Sequence, residues 1–160
     1  MTIRTARRSD VPLILALIRE LAAYEKLSED AVATEQALAA TLFGPNPAAE
    51  VLIAELDGEA VAFALFFPNY STFLGKAGIY LEDLFVRPGA RGRGIGRALL
   101  GRLAAIARER GCGRLEWAVL DWNESAIGFY EKLGAAPQSD WTTYRLTGPA
   151  LAKLAADKNE

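Results

Sequence analysis

A chain of 160 residues, 51% of them hydrophobic, can bury a proper core and is most simply a single α/β-sized domain spanning residues 1–160. Lys and Arg number 18 against 20 Asp and Glu, and the resulting net charge of -2 argues against wholesale binding to nucleic acid or to an anionic membrane. The single Cys112 excludes an intrachain disulfide framework, and the absence of histidine removes Ser-His-Asp triads, Cys-His pairs and histidine metal sites, so no metal is expected.

In chain order, "TIRTA" alternates and predicts an opening strand, after which Ser9 and Asp10 can cap a helix with Pro12 in its first turn. Val11, Ile14, Leu15, Ile18 and Leu21 mark its apolar face. A short second helix is predicted over residues 34–43, ended by Gly44 and the breaker "GPNP". Two apolar runs around Asp57-Gly58 give a strong hairpin signal. The stretch "PNYSTFLGKAG" reads as a loop leading to a strand "IYLEDLFV" that closes at Arg87-Pro88-Gly89. Helical periodicity covers residues 95–110, "RLEWAVL" reads as a strand, Asn123 caps a helix through Leu133, and "WTTYRL" reads as a last strand. This order predicts a mixed α/β sheet. The N-terminus has no apolar signal region and no run of eighteen apolar residues follows, so a cytoplasmic location without membrane attachment is expected.

The unusual stretch is "RGRGIGRALL", where Gly92, Gly94 and Gly96 alternate with Arg91, Arg93 and Ile95 before Arg97 and the leucines. Glycines between a strand and a helix let backbone N–H groups approach an anion, and the helix N-terminus adds partial positive charge. No Lys-Ser/Thr follows as in a P-loop, and the glycine spacing is not that of the dinucleotide fingerprint. Eight arginines between Arg87 and Arg114 face one acid, Glu109, which raises the possibility of a nucleic-acid stripe. Arg102, Arg108 and Arg110, however, fall on the polar face of a helix, and no nucleic-acid partner is expected.

"VRPGARGRGIGRALL" resembles motif A of the GNAT superfamily of N-acetyltransferases, and "WNESAIGFYEKLGA" resembles its motif B. Two motifs in the right order, each preceded by a strand, make the resemblance specific. It implies a mixed sheet flanked by helices, with a splayed pair of parallel strands holding acetyl-CoA. It further implies that the diphosphate meets Arg91, Gly92, Arg93, Gly94, Ile95, Gly96 and Arg97. Leu84, Phe85 and Val86 are implied to line the pantetheine, with the N–H of Leu84 or Phe85 serving the thioester oxygen as it gains charge. Asn123, Ser125 and Ala126 are implied to hold the pantetheine arm, a role compatible with helix capping.

"ELAAYEKLSED", "YST", "GKAGIYLEDLFV" and "AVLDWN" are similar to the diamine acetyltransferase group within that superfamily, nearest to its thialysine Nε-acetyltransferase branch. The similarity runs from Ile3 to about Leu154 and implies a homodimer with a small primary amine as acceptor. Where the polyamine branch places a further acid before "GK", this chain has Ser71-Thr72, which lowers the expectation for long polyamines. Asp140, in the short stretch after Gly134, is left without a role.

A primary amine attacks only when neutral, and with a pKa near ~10.4 its deprotonation at pH 7 costs roughly 4–5 kcal/mol. Without histidine, carboxylates or water held by them must take the proton. Glu82 and Asp83, adjacent on a strand before the glycine loop, are expected on opposite faces, and the resemblance selects Glu82. Tyr24 and Glu25 are implied to border the amine, where a carboxylate can pair with an ammonium group. Tyr130 is implied to protonate the departing thiolate, and Phe129 is expected in the core. Cys112 has no neighbouring base to make it an acyl acceptor, so direct transfer is expected. Trp117, Trp122 and Trp141 read as packing or dimer-surface residues. Acetylation of a protein N-terminus or lysine, and a CoA-binding sensor without turnover, are the alternatives.

Overall fold

The computed structural model describes residues 1–157, which gather into two compact units, one of residues 1–118 and one from Val119 onward. The first unit is built on a five-stranded sheet in the order β1-β2-β3-β4-β5. Its elements are β1 (Thr2–Thr5), α1 (Val11–Tyr24), α2 (Glu35–Phe43), β2 (Glu50–Leu56), β3 (Glu59–Ser71), β4 (Lys76–Val86), α3 (Ile95–Glu109) and β5 (Leu115–Trp117). The first four strands are antiparallel neighbours, and β5 alone runs parallel to its neighbour β4, as the intervening helix α3 requires.

Local chemistry accounts for most of these boundaries. Thr34 caps α2, its hydroxyl oxygen accepting from the Ala37 N–H at 3.1 Å. Asp57 and Gly58 both have positive φ, 53° and 84°, the backbone of the two-residue turn that matches the twist of a hairpin. Asp10 stands at the N-cap of α1 but, contrary to expectation, its side chain caps no N–H of that helix: it accepts from the Arg7 N–H at 2.7 Å and from both terminal nitrogens of Arg4, whose Nε–H donates to Glu55. The Arg4 guanidinium holds the Asp10 carboxyl below its usual range. That single arginine ties β1 and β2 to the entry of α1.

Both faces of the sheet are covered. Val51, Ile53, Phe63 and Phe85 pack with Val11, Ile14, Leu15, Leu17 and Leu21 of α1 and with Leu38 and Leu42 of α2. The alternate strand residues, among them Leu52, Ala54, Phe66 and Leu81, are buried on the opposite face, where α3 crosses β2, β3, β4 and β5 with Leu99 and Leu103 fully enclosed.

Three elements differ from expectation. β3 does not stop at Phe67 but runs through Pro68 to Ser71, pairing with Lys76 to Ile79 of β4 and leaving only residues 72–75 as the turn. Pro68 is tolerated because β2 ends opposite Phe66, so the missing N–H falls where β3 has a single neighbour. β5 is shorter than "RLEWAVL" suggested, covering Leu115–Trp117 alone. "WTTYRL" forms no strand: residues 141–146 belong to the second unit, which has no strand among its described residues to supply a ladder.

The second unit carries α4 (Glu124–Lys132) and α5 (Gly148–Ala156). α5 was not anticipated, although Pro149 in its first turn and the alanine-rich run after it are favourable signals. No helix among the described residues is long and apolar enough to cross a membrane.

Candidate active site

The site begins where the ladder between β4 and β5 ends. These strands pair at Ile79↔Leu115, Tyr80↔Glu116 and Leu81↔Trp117, after which β4 continues to Val86 with no strand on that side. Backbone groups of the continuing stretch that point away from β3 therefore have no strand partner among the described residues.

At the same place β4 is bulged. Phe66 lies opposite Leu81 but Leu65 lies opposite Asp83, so Glu82 is the extra residue. The consequence is a switch of faces: Leu81 turns toward α3, whereas Asp83 shares the side of Leu65, which packs against the α1 and α2 cluster. Strict alternation, the basis for expecting Glu82 and Asp83 on opposite faces, does not hold through a bulge.

The bulge gathers acidic groups. Asp83 is part-buried, and burial, then the charges of Glu82 and Glu25, push its carboxyl up to about 6. Glu25, just past the end of α1, is itself raised by burial. Glu82 is exposed and helps raise the Tyr80 hydroxyl, on which burial acts first and the charge of Glu116 last. Among the described residues no group of carboxylates and cysteine is arranged to hold a metal ion. Asp83 and Glu25 lie partly out of water, Glu82 beside them is exposed, and a cation placed among the three would relieve the repulsion that Asp83 feels.

Two devices bring α1 to this place. Arg87 grips Glu20 of α1 through Nε–H and a terminal nitrogen, at 2.9 and 2.7 Å, and donates to the Ala60 carbonyl at 2.8 Å. Arg91 lays its guanidinium 4.6 Å from the centre of the Tyr24 ring and 5.7 Å from that of Phe85, while its Nε–H donates to the Val86 carbonyl at 2.9 Å.

The glycine loop then enters α3. Gly92 and Gly94 have φ of 76° and 77°, and Gly94 is the N-cap of the helix. A Cβ at either would meet no other atom within 4 Å, so the requirement for glycine here is conformational and the space beside the backbone is open. The first N–H groups of α3, from Ile95, Gly96 and Arg97, have no intrahelical acceptor, and Arg93 and Arg97 stand exposed beside them. This donor set fits an anionic diphosphate. Elsewhere the arginine stripe is spent on the protein itself: Arg87, Arg102, Arg110 and Arg114 pair with Glu20, Glu109, Glu50 and Glu116.

In the second unit, the Asn123 side-chain oxygen accepts from the Ala126 N–H at 3.2 Å and starts α4. Tyr130 lies one turn beyond Ala126 on the same face, its ring 5.4 Å from that of Phe129, and its carbonyl accepts from the N–H groups of Leu133 and Ala135. Within the first unit, then, Arg91 meets Tyr24 and Phe85, and Asp83 lies within electrostatic reach of Glu82 and Glu25. Asp83 was weighed in the sequence and passed over. Its signal, a second acid beside Glu82, was visible, but its burial was not.

The β4–glycine loop–α3 unit presents an anion-binding helix start beside an acidic cluster, and comparison with known proteins identifies the family. Residues 18–135 match the Acetyltransferase (GNAT) family, and the chain belongs to that family of acetyltransferase enzymes. It is 42% identical to the thialysine N-epsilon-acetyltransferase of Sus scrofa, over 96% of each chain. It is 37% identical to an L-ornithine N5-acetyltransferase of Arabidopsis thaliana, covering 95% of this chain and 86% of that protein. Among solved structures, an integron cassette protein from V. cholerae matches with a TM-score of 0.82 and 30% identity over 98% of each chain.

Proposed function

We propose that this enzyme transfers the acetyl group of acetyl-CoA directly to the terminal amine of a small cationic acceptor of the thialysine, lysine or ornithine type, or of a short diamine. The similarity to thialysine and ornithine acetyltransferases over nearly the whole chain carries this reading. The cluster of Glu25, Glu82 and Asp83 is compatible with it, because an ammonium-bearing acceptor relieves the repulsion that Asp83 feels.

The residues divide the work by the charge each must handle. Backbone N–H groups from Gly92 to Arg97, with Arg93 and Arg97, hold the diphosphate, and Leu84, Phe85 and Val86 lie along the pantetheine. Family resemblance assigns Asn123, Ser125 and Ala126, at the start of α4, to the same arm. Tyr24 and Glu25 border the amine. Glu82, directly or through water, takes a proton from the bound ammonium, and the neutral amine then attacks the acetyl carbon, its remaining surplus proton leaving as the tetrahedral adduct collapses. The N–H of Leu84 or Phe85 donates to the thioester oxygen while the C–S bond breaks, and the Tyr130 hydroxyl protonates the thiolate. The enzyme works as a homodimer in the cytoplasm, with no metal and neither nucleic acid nor membrane as partner, a reading that rests on family resemblance and composition.

The test is a panel of thialysine, lysine, ornithine, putrescine, spermidine and N-terminal peptides, each assayed with acetyl-CoA for thiol release. At least one small amine is expected to exceed every peptide in kcat/KM by about 100-fold, a difference of the size that pocket complementarity supplies. Preference for a peptide, or CoA binding without turnover on any acceptor, contradicts the proposal. In the same assay Tyr130→Phe is expected to lower kcat by about 10²–10⁴-fold with acetyl-CoA affinity retained.

A further inference from the structure

Arg91 opens the glycine loop, yet its side chain is turned back along the protein. The guanidinium carbon lies 4.6 Å from the Tyr24 ring centre and 5.7 Å from that of Phe85, and Nε–H donates to the Val86 carbonyl. Its own backbone N–H donates to the Pro88 carbonyl at 3.2 Å, fixing the turn that precedes the glycines. One side chain thus touches the last residue of α1, the Phe85 ring and the Val86 carbonyl of β4, and its backbone begins the diphosphate loop.

We infer that Arg91 is a positioning residue that couples the two substrates, clamping the start of the diphosphate loop to Tyr24 so that filling either subsite favours filling the other. This rests on the assignment above of the loop to acetyl-CoA and of Tyr24 and Glu25 to the amine.

The physical basis is that one side chain fixes two segments at once. The loop owes its shape to two glycines at positive φ, residues with much conformational freedom to lose. The end of α1 is followed by Lys26 at φ 61° and an exposed connection toward α2. A ligand that immobilises one of these segments through the stacked guanidinium lowers the ordering cost met by the ligand of the other. Tyr24 is 38% exposed, so the stack lies at the rim of the site and contributes through placement more than through burial. A diphosphate contact alone would leave the guanidinium free to face the loop; here it faces the acceptor wall.

Calorimetry with CoA, which binds without turnover, reads the coupling in the presence and absence of thialysine. In the parent enzyme thialysine is expected to tighten CoA binding roughly 3- to 30-fold, the range of one cation–π contact. Tyr24→Leu, a change on the amine side, is expected to weaken CoA binding several-fold even without amine and to abolish the tightening, while Tyr24→Phe, which keeps the ring face, restores both. Arg91→Gln is expected to behave like Tyr24→Leu, and the double variant is expected to be no worse than either single one. Parental CoA affinity in Tyr24→Leu, or additive losses in the double variant, overturns the inference and leaves Arg91 as a plain diphosphate contact. Should thialysine not be an acceptor at all, the CoA-only measurements on the four variants still decide whether Arg91 and Tyr24 act together. That separates failure of the clamp from failure of the functional reading.

Discussion

From Lys76 to Leu81, β4 is paired with β3 on one side and, over its last three positions, with β5 on the other; from Glu82 to Val86 it keeps β3 alone. The first half buries Ile79 and Leu81 almost completely. The second carries Glu82 exposed, Asp83 part-buried at a raised pKa, and backbone groups that no strand engages. The bulge at Glu82 divides the halves and turns the side chains to new faces. A single strand can therefore serve as framework and as site, provided that a neighbour leaves and the register slips at one place.

The sharpest way to test this division is to compare a change just before the bulge with changes within and just after it. Leu81→Ala, at a position 1% exposed, is expected to cost about 2–5 kcal/mol in urea unfolding while leaving the amine KM near the parental value in the folded fraction. A large KM effect with little loss of stability would erase the distinction between the halves.

Asp83→Asn is expected to act in the opposite sense. Because the carboxyl sits at about 6 in the folded protein against 3.8 ordinarily, the folded state holds its proton to higher pH than the unfolded chain. Stability from this group is complete below pH 3.8 and is lost as pH rises through 6, a cost of about 3 kcal/mol at neutral pH. Asparagine removes that slope. Urea unfolding should show the variant gaining on the parent between pH 4 and pH 7.5, by up to about 3 kcal/mol; an equal gap at both values would mean that Asp83 is not held in a repulsive, desolvated place. The same titration gives an acid limb near pH 6 to amine binding, since the deprotonated carboxylate is the form that attracts a cation.

How much of this was legible in the sequence follows the range of the interactions involved. The end of α2 before Gly44, capping at Asn123, the Asp57-Gly58 turn and the apolar faces of α1 and α3 are local, and each appears where residue type and spacing placed it. β3 was cut short because Pro68 signals a break, and only the position of β2 shows that its N–H is not needed there. "WTTYRL" has the composition of a strand, but a strand exists only with a partner, which composition does not supply. The bulge is likewise a property of two strands in register. Local sequence could mark Glu82 and Asp83 as a pair of acids; it could not show that a slip against Leu65 and Phe66 sends Asp83 toward Glu25, nor that Arg91 would reach Tyr24 across the fold.

The most direct measurement of the proposed chemistry is the pH dependence of kcat/KM for Glu82→Gln with thialysine, beside that of the parent. With the carboxylate gone, the defect is expected to be largest at low pH, about 10²-fold or more, and to shrink toward alkaline pH as neutral amine becomes available without help. A defect of constant size across the pH range would remove Glu82 as the group that takes the proton and would contradict the assignment of the chemistry to the bulge.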